Sequence, residues 1–280
     1  FVCLIAGVLT GFVGGYFQVF LHRADHLRLY LSAWAHQIGF FEGFCLILLI
    51  CVGAAVIGRA LVRFAPTAGG SGIQYVEAAW RQEVEPARLR VVFVKFIGGL
   101  LTLGSGMALG REGPTVQMGA ALGATLGRWL KFTPEELRFL TIASAGTGLG
   151  VAFSSPLGGS MFTFEEVTKD IRMNLVIPTL ICAFAGCTVS MTILGMQPDY
   201  HVISRAFALP NFKEAAAYIC FGVFMGAMGP LYNKLVLWLL DANKYFSSLL
   251  PEVKAALVGV VVAALVYFAP GLSGGGALLA

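Results

Sequence analysis

A charged pentapeptide, Gly110-Arg111-Glu112-Gly113-Pro114, interrupts a lipid-like stretch that runs from Leu100 to Leu109 and resumes from Val116 to Leu126. A guanidinium or carboxylate at membrane depth costs roughly 2.5–3.5 kcal/mol on insertion scales, so such groups face a cavity, a partner or a transport path. Glycines on both sides of Glu112 leave backbone N–H groups uncovered, and Pro114 suits the first turn of a following helix. An acidic side chain at the start of an intramembrane helix puts a tethered anion where a free anion would bind. The chain is thereby constrained to a fold with helix ends inside the membrane, and the pentapeptide reads as a gate.

The rest of the chain supports that setting. Of 280 residues, 58% are hydrophobic and 12% charged, against roughly a quarter charged in a globular domain. This is the composition of an all-α polytopic protein embedded in a lipid bilayer. The 35 glycines fit close helix packing in lipid. The net charge of +4 comes from short connecting segments and points to no nucleic acid and no basic tail. Phe1 to Leu21 is too long for a signal-peptide core and reads as a first membrane helix. The chain starts inside an apolar stretch and stops after Gly274 to Ala280, so it is expected to be a piece lacking an N-terminal segment and a C-terminal half. The six cysteines form no CxxC pair and lie in apolar segments; they read as small hydrophobes, with no metal and no cofactor expected.

Helical stretches are predicted over 1–21 (extending toward Leu31), 41–63, 91–108, 114–130, 136–153, 156–167, 174–195, 214–248 and 253–268, with a short amphipathic piece over 73–80. Several fall short of the ~20 residues a span needs. They are broken by Gly69-Gly70-Ser71-Gly72, Gly104-Ser105-Gly106, Ser154-Ser155-Pro156 and Ser273-Gly274-Gly275-Gly276. Backbone that is not helical survives at membrane depth only where protein or a wet cavity satisfies it, so broken helices point to a transporter or channel with its site at the breaks. The distribution of arginine and lysine leaves the membrane orientation open. Two patterns recur. Gly7-Val8-x-x-Gly11-x-x-Gly14 returns as Gly222-Val223-x-x-Gly226-x-x-Gly229, and Phe64-Ala65-Pro66 with its glycine run returns as Phe268-Ala269-Pro270 with Ser273 to Gly276. The expected organisation is one transmembrane repeat over 1–210 and the start of a second over 211–280.

Three constellations carry chemistry. In Gly70-Ser71-Gly72-Ile73-Gln74, Ser71 falls at or near a helix N-cap. Its hydroxyl and the next N–H groups can donate to an anion, or simply cap the helix. In the pentapeptide, Glu112 is a gate or a capping carboxylate; a pair with the adjacent Arg111 is poor, since neighbours point apart. The third is Glu165-Glu166, which follows a run free of Asp, Glu, Lys and Arg from Phe139 to Phe164. One reading is a helix end reaching water, with Lys169 as the i,i+4 partner of Glu165. The other is a proton acceptor at a cavity mouth.

In order and spacing, Gly70-Ser71-Gly72-Ile73, Gly110 to Pro114 and Pro156-Leu157-x-Gly159-x5-Glu165-Glu166 resemble the CLC family of chloride channels and chloride/proton exchangers. Lys95-Phe96-x-Gly98-Gly99 and Gly146-x-Gly148 extend the likeness over most of the chain. The resemblance implies the CLC-type inverted-repeat fold, a bacterial inner-membrane location and a homodimer with one pathway per subunit. It implies that Ser71 and Gly72 bind the central chloride, and that Glu112 is the gating glutamate, with Gly113 lining the outer anion site. It makes Glu166 the internal proton glutamate, so that protons pass between Glu112 and Glu166; most family channels are not acidic there. Ser71 stands where nitrate-selective relatives carry Pro, which favours chloride. Gln74 departs from the Pro of many relatives. The family's Gly-x-Phe-x-Pro motif and the Tyr that complete the anion site are absent from these 280 residues.

The expected function is chloride/proton antiport, with an uncoupled chloride channel as the near alternative. An intramembrane serine protease is the remote one, since Gly69-x-Ser71-Gly72 and Gly271-x-Ser273-Gly274 both fit Gly-x-Ser-Gly. Such an enzyme needs a histidine on a later helix. His22, His26 and His36 precede both serines, and His201 sits in a loop beside Asp199.

Overall fold

A computed structural model describes residues 1–195 and 211–275, and all its secondary structure is helical. Ten α-helices follow in order: α1 Val2–Ile38, α2 Phe40–Leu61, α3 Ile73–Trp80, α4 Arg90–Gly104, α5 Glu112–Trp129, α6 Pro134–Ala152, α7 Pro156–Phe162, α8 Met173–Leu194, α9 Phe212–Tyr245 and α10 Pro251–Phe268. Single 3₁₀ turns follow α2 and α10, at Pro66–Ala68 and Pro270–Leu272, and a π-helical turn, Thr163–Thr168, continues α7. Among the described residues, five helices (α1, α2, α8, α9 and α10) are long and apolar enough to cross a membrane. The expected stretches appear within a few residues of their limits. The largest differences are α1, which runs on to Ile38, and α4, which stops at Gly104 instead of reaching 108.

The described residues form two compact units, 1–195 with 255–275, and 211–254. Ala6, Thr10, Gly14 and Phe17 are buried along one face of α1. At Gly11 that helix meets α8 backbone to backbone: a Cβ on Gly11 would lie 2.8 Å from the Gly186 carbonyl carbon. Small residues allow this approach, which is how helices associate without a hydrophobic drive between them. Gly119 and Gly123 let α5 press on α6 in the same way. Thr133 and Glu136 close a capping box at the start of α6, with Pro134 in its first turn.

The core that places the short helices comprises Val76 of α3, Val116 and Ala120 of α5, Ile142 of α6, Phe164 and Val167 of the π turn, and Leu175 of α8. An eight-residue helix is marginal alone; α3 persists because Val76 and Ala79 are buried. In the second unit, α9 opens with an Asn211–Glu214 capping box and carries Pro230 in its interior. All six cysteines are free.

Candidate functional site

Two helix N-termini meet in the first unit. The turn Gly69–Gly72 feeds α3. Gly70 (φ 74°) and Gly72 (φ 97°) hold left-handed conformations that disfavour any residue with a Cβ. Gly72 is the N-cap of α3, and no side chain caps that helix. Ser71 precedes the cap, so its hydroxyl is not spent as an ordinary serine cap. Arg111 precedes α5, whose first residue is Glu112, and this N-terminus also lacks a side-chain cap. The first N–H groups of both helices therefore have no intrahelical or capping partner. Pro114, third in α5, removes one donor that would have been an orphan in any case.

The two ends touch. Gly113 packs on Ser71 so closely that a Cβ there would overlap the Ser71 carbonyl oxygen and lie 2.8 Å from its hydroxyl oxygen. One turn further along α5, Gln117 packs on Gly72. Ser71, Glu112 and Gly113 line one cavity of about 710 Å³, walled by Gly58 and Arg59 of α2, by Val62 just after it, and by Lys95, Gly98 and Thr102 of α4. Glu112 is half-buried, and its carboxylate folds back over the start of its own helix, into the space a side chain on Gly110 would need. Of the expected site residues, the structure brings Ser71, Gly72, Glu112 and Gly113 together.

Glu166 lies elsewhere. Glu165 and Glu166 sit in the π-helical turn, exposed, on a second cavity of about 620 Å³ shared with Gln74 and Glu77 of α3. Thr168 Oγ1 donates within this turn toward the Thr163 carbonyl at 3.0 Å, and the left-handed Lys169 (φ 54°) ends it. No ion pair forms between Glu165 and Lys169 among the described residues. Ile73, the first residue of α3, lines both cavities. Gln74, the departure from the family's proline, faces the Glu166 cavity.

Two supporting residues escaped sequence reasoning as site residues. Lys95, 7% exposed, donates from Nζ to the Gly70 carbonyl at 2.7 Å and the Ser71 carbonyl at 3.3 Å, pinning the turn from α4. Its signal was isolation: no other charge occurs from 91 to 110. Gln117, fully buried, donates from Nε2 to the Thr67 carbonyl at 2.7 Å. Its signal was an amide inside the apolar run that follows the pentapeptide.

The protease arrangement is not present among the described residues. No histidine lines the Ser71 cavity. Ser273 Oγ donates to the Pro270 carbonyl at 2.7 Å, and His36 stacks on Tyr267 with 4.3 Å between ring centroids. His201 and Asp199 lie outside the described residues, as does Gly276 of the second glycine run.

Comparison with known proteins agrees with this fold. The family model described as voltage gated chloride channel matches residues 52–280. The H+/Cl− exchange transporter ClcA of Vibrio vulnificus (strain YJ016) is 36% identical over 291 residues, covering 99% of this chain and 60% of the relative. The protein of the same name from Vibrio cholerae serotype O1 (strain M66-2) is 34% identical over 285 residues, with 99% and 60% covered. The crystal structure of a slow cyanobacterial Cl−/H+ antiporter superposes with a TM-score of 0.87 at 28% identity, covering 99% of this chain and 65% of that one. The chain thus spans 60% of the length of these curated relatives. It belongs to the voltage-gated chloride channel family, and five of its described helices are long and apolar enough to cross a membrane.

Proposed function

We propose that the full-length protein containing this chain exchanges chloride for protons across the membrane. One observation carries the reading: two uncapped helix N-termini meet at Ser71 and Gly113, with the Glu112 carboxylate beside them on the same cavity. Partial positive charge and orphan N–H groups replace part of an anion's water shell without a full opposing charge. Binding of that kind is strong enough to admit chloride and weak enough to release it. Ser71 adds a hydroxyl donor, Gly72 starts the donating turn of α3, and Gly113 does the same for α5.

Glu112 is the gate in this reading. Ionised, its carboxylate occupies an anion position and excludes chloride; protonated, it is neutral and can leave. Glu166 takes protons at the second cavity and passes them along the α3 side toward Glu112, with Ile73 as the wall between. Relatives named as H+/Cl− exchange transporters and a solved Cl−/H+ antiporter support exchange. The homodimer with one pathway per subunit, expected from the resemblance, belongs to the same proposal.

The test is proton flux in liposomes holding the full-length protein, driven only by a chloride gradient. Uphill proton movement is expected. Glu166→Gln stops it and spares chloride flux; Glu112→Gln also uncouples protons while chloride still passes. Chloride flux with no proton movement in the wild type would make the protein a channel and return Glu166 to a solvated helix end. Loss of chloride flux in both well-folded variants would defeat the scheme.

A further inference from the structure

We propose that Gln117 determines the anion selectivity of this site, as the strut that fixes the spacing between the two helix ends; the inference rests on the anion-site reading above. Gln117 lies four residues after Gly113, so both project from one face of α5. That face holds the whole turn before α3. Gly113 packs on Ser71, and a Cβ on Gly72 would lie 2.7 Å from Gln117 Oε1 and 2.8 Å from its Cβ. Gln117 Nε2 donates to the Thr67 carbonyl at 2.7 Å, at the far end of the same turn. The side chain thus grips the loop at both ends, Thr67 by a hydrogen bond and Gly72 by contact, while Lys95 holds its middle from α4. Its Oε1 is buried without a donor. A lone buried acceptor of this kind costs about 1–3 kcal/mol, so the amide is held by the position it keeps and not by full satisfaction.

The chemical consequence is spacing. An anion bound between Ser71 and the start of α5 samples the gap between two backbones, and that gap is set by the length of Gln117. A shorter or donorless side chain frees the loop to shift, so small and large monovalent anions are discriminated less. Gln18 supplies an internal control. It is equally buried, and its Nε2 donates to the Val151 carbonyl at 2.6 Å, but that partner belongs to α6 and not to the turn before α3.

The experiment measures chloride, bromide and nitrate affinities by titration calorimetry, and thermal unfolding, for the full-length protein and for Gln117→Met, Gln117→Asn and Gln18→Leu. Met keeps the length and loses the donor; Asn keeps the amide and loses the reach. In both Gln117 variants chloride affinity is expected to fall about three- to tenfold, the size of one hydrogen bond, with nitrate falling less, so the chloride-to-nitrate ratio shrinks. Gln18→Leu is expected to lower the unfolding temperature and keep the wild-type ratio. Unchanged ratios in folded Gln117→Met and Gln117→Asn, or the same shift in Gln18→Leu, would overturn the assignment. A wild-type protein that binds none of the three anions would instead remove the anion-site reading itself.

Discussion

Ala65 and Ala269 share φ −143°, with ψ 84° and 64°; each is followed by a 3₁₀ turn that starts with proline. Gly69 and Ser273 then extend with ψ 151° and 150°, and Gly70 and Gly274 both turn left-handed, at φ 74° and 78°. The backbone is therefore written twice, after α2 and after α10, and the two copies have different surroundings. After α2, Ser71 is exposed on a cavity with Glu112, and Lys95 reaches only carbonyls behind it. After α10, Ser273 is 3% exposed and its hydroxyl is spent on Pro270, while Gly275 stands where the first copy has Ser71. Gly274 N–H donates to the Gly106 carbonyl at 2.8 Å, and the Arg28 guanidinium fills the space beside it. The same Arg28 reaches the Leu103 and Gly104 carbonyls at the end of α4, where a cation complements the helix dipole. The lesson is that this turn is a chassis. One copy leaves a hydroxyl and a helix start open to a cavity, and the other buttresses the loop that leads into Glu112.

The sharpest way to break this comparison is to load each copy with one methyl group, from α5 against the first and within the second. Gly113→Ala drives a Cβ into the Ser71 carbonyl, a backbone atom that cannot swing aside. Overpacking costs about 1–3 kcal/mol, and here it falls on the proposed anion site, so chloride affinity by calorimetry is expected to drop roughly tenfold or more. Gly274→Ala loads the other copy and is expected to leave chloride affinity within about twofold, a difference under 0.5 kcal/mol. Equal losses would mean that the second turn also shapes the site.

The limits of sequence reading fall along the same line. The long helices were legible because an apolar run of membrane length has few other fates, and α3 because its apolar residues keep helical spacing. Ser71 and Glu112 stood out as candidates because polar residues are conspicuous among lipid-like neighbours, and Gly113 entered through the family resemblance. Lys95 and Gln117 were not legible, because their partners lie 25 and 50 residues away, and no local pattern encodes that closure. The π turn was read as plain helix, since its widening depends on Thr168 hydrogen bonds and the left-handed Lys169. The equal backbone of the two turns could be guessed from Phe-Ala-Pro and glycine; their unequal use could not, because it is set by Arg28 and Ser273.

A smaller effect separates the two serines. Ser71→Ala removes a hydroxyl that faces the cavity and bonds nothing that the fold needs, so chloride affinity is expected to fall about tenfold, the size of a hydrogen bond to a charged group. The unfolding temperature should hardly move. Ser273→Ala removes a buried, satisfied donor, so it should cost about 1 kcal/mol of stability and leave the affinity alone. If Ser273→Ala weakened chloride and Ser71→Ala did not, the roles given to the two copies would be reversed.

The smallest expected effect isolates surroundings from backbone. Gly70→Ala and Gly274→Ala put the same methyl group on the same left-handed conformation, which costs an L-residue roughly 1–2 kcal/mol. At Gly70 no atom lies within 4 Å of the new Cβ, so strain is the whole cost. At Gly274 the Cβ would lie 2.8 Å from Arg28 Nη2 and 3.2 Å from its Cζ, so the guanidinium has to give way. Arg28 is 7% exposed and holds Asp25 and two α4 carbonyls, and its Nε already lacks a partner. Moving it loosens charge-assisted bonds that are worth more than neutral ones. Thermal unfolding of the two full-length variants should therefore show a larger loss at Gly274, by about 1 kcal/mol or more. Equal losses would show that Arg28 yields freely, and the second turn would then be a relic of the repeated backbone and not the buttress of the loop that leads into Glu112.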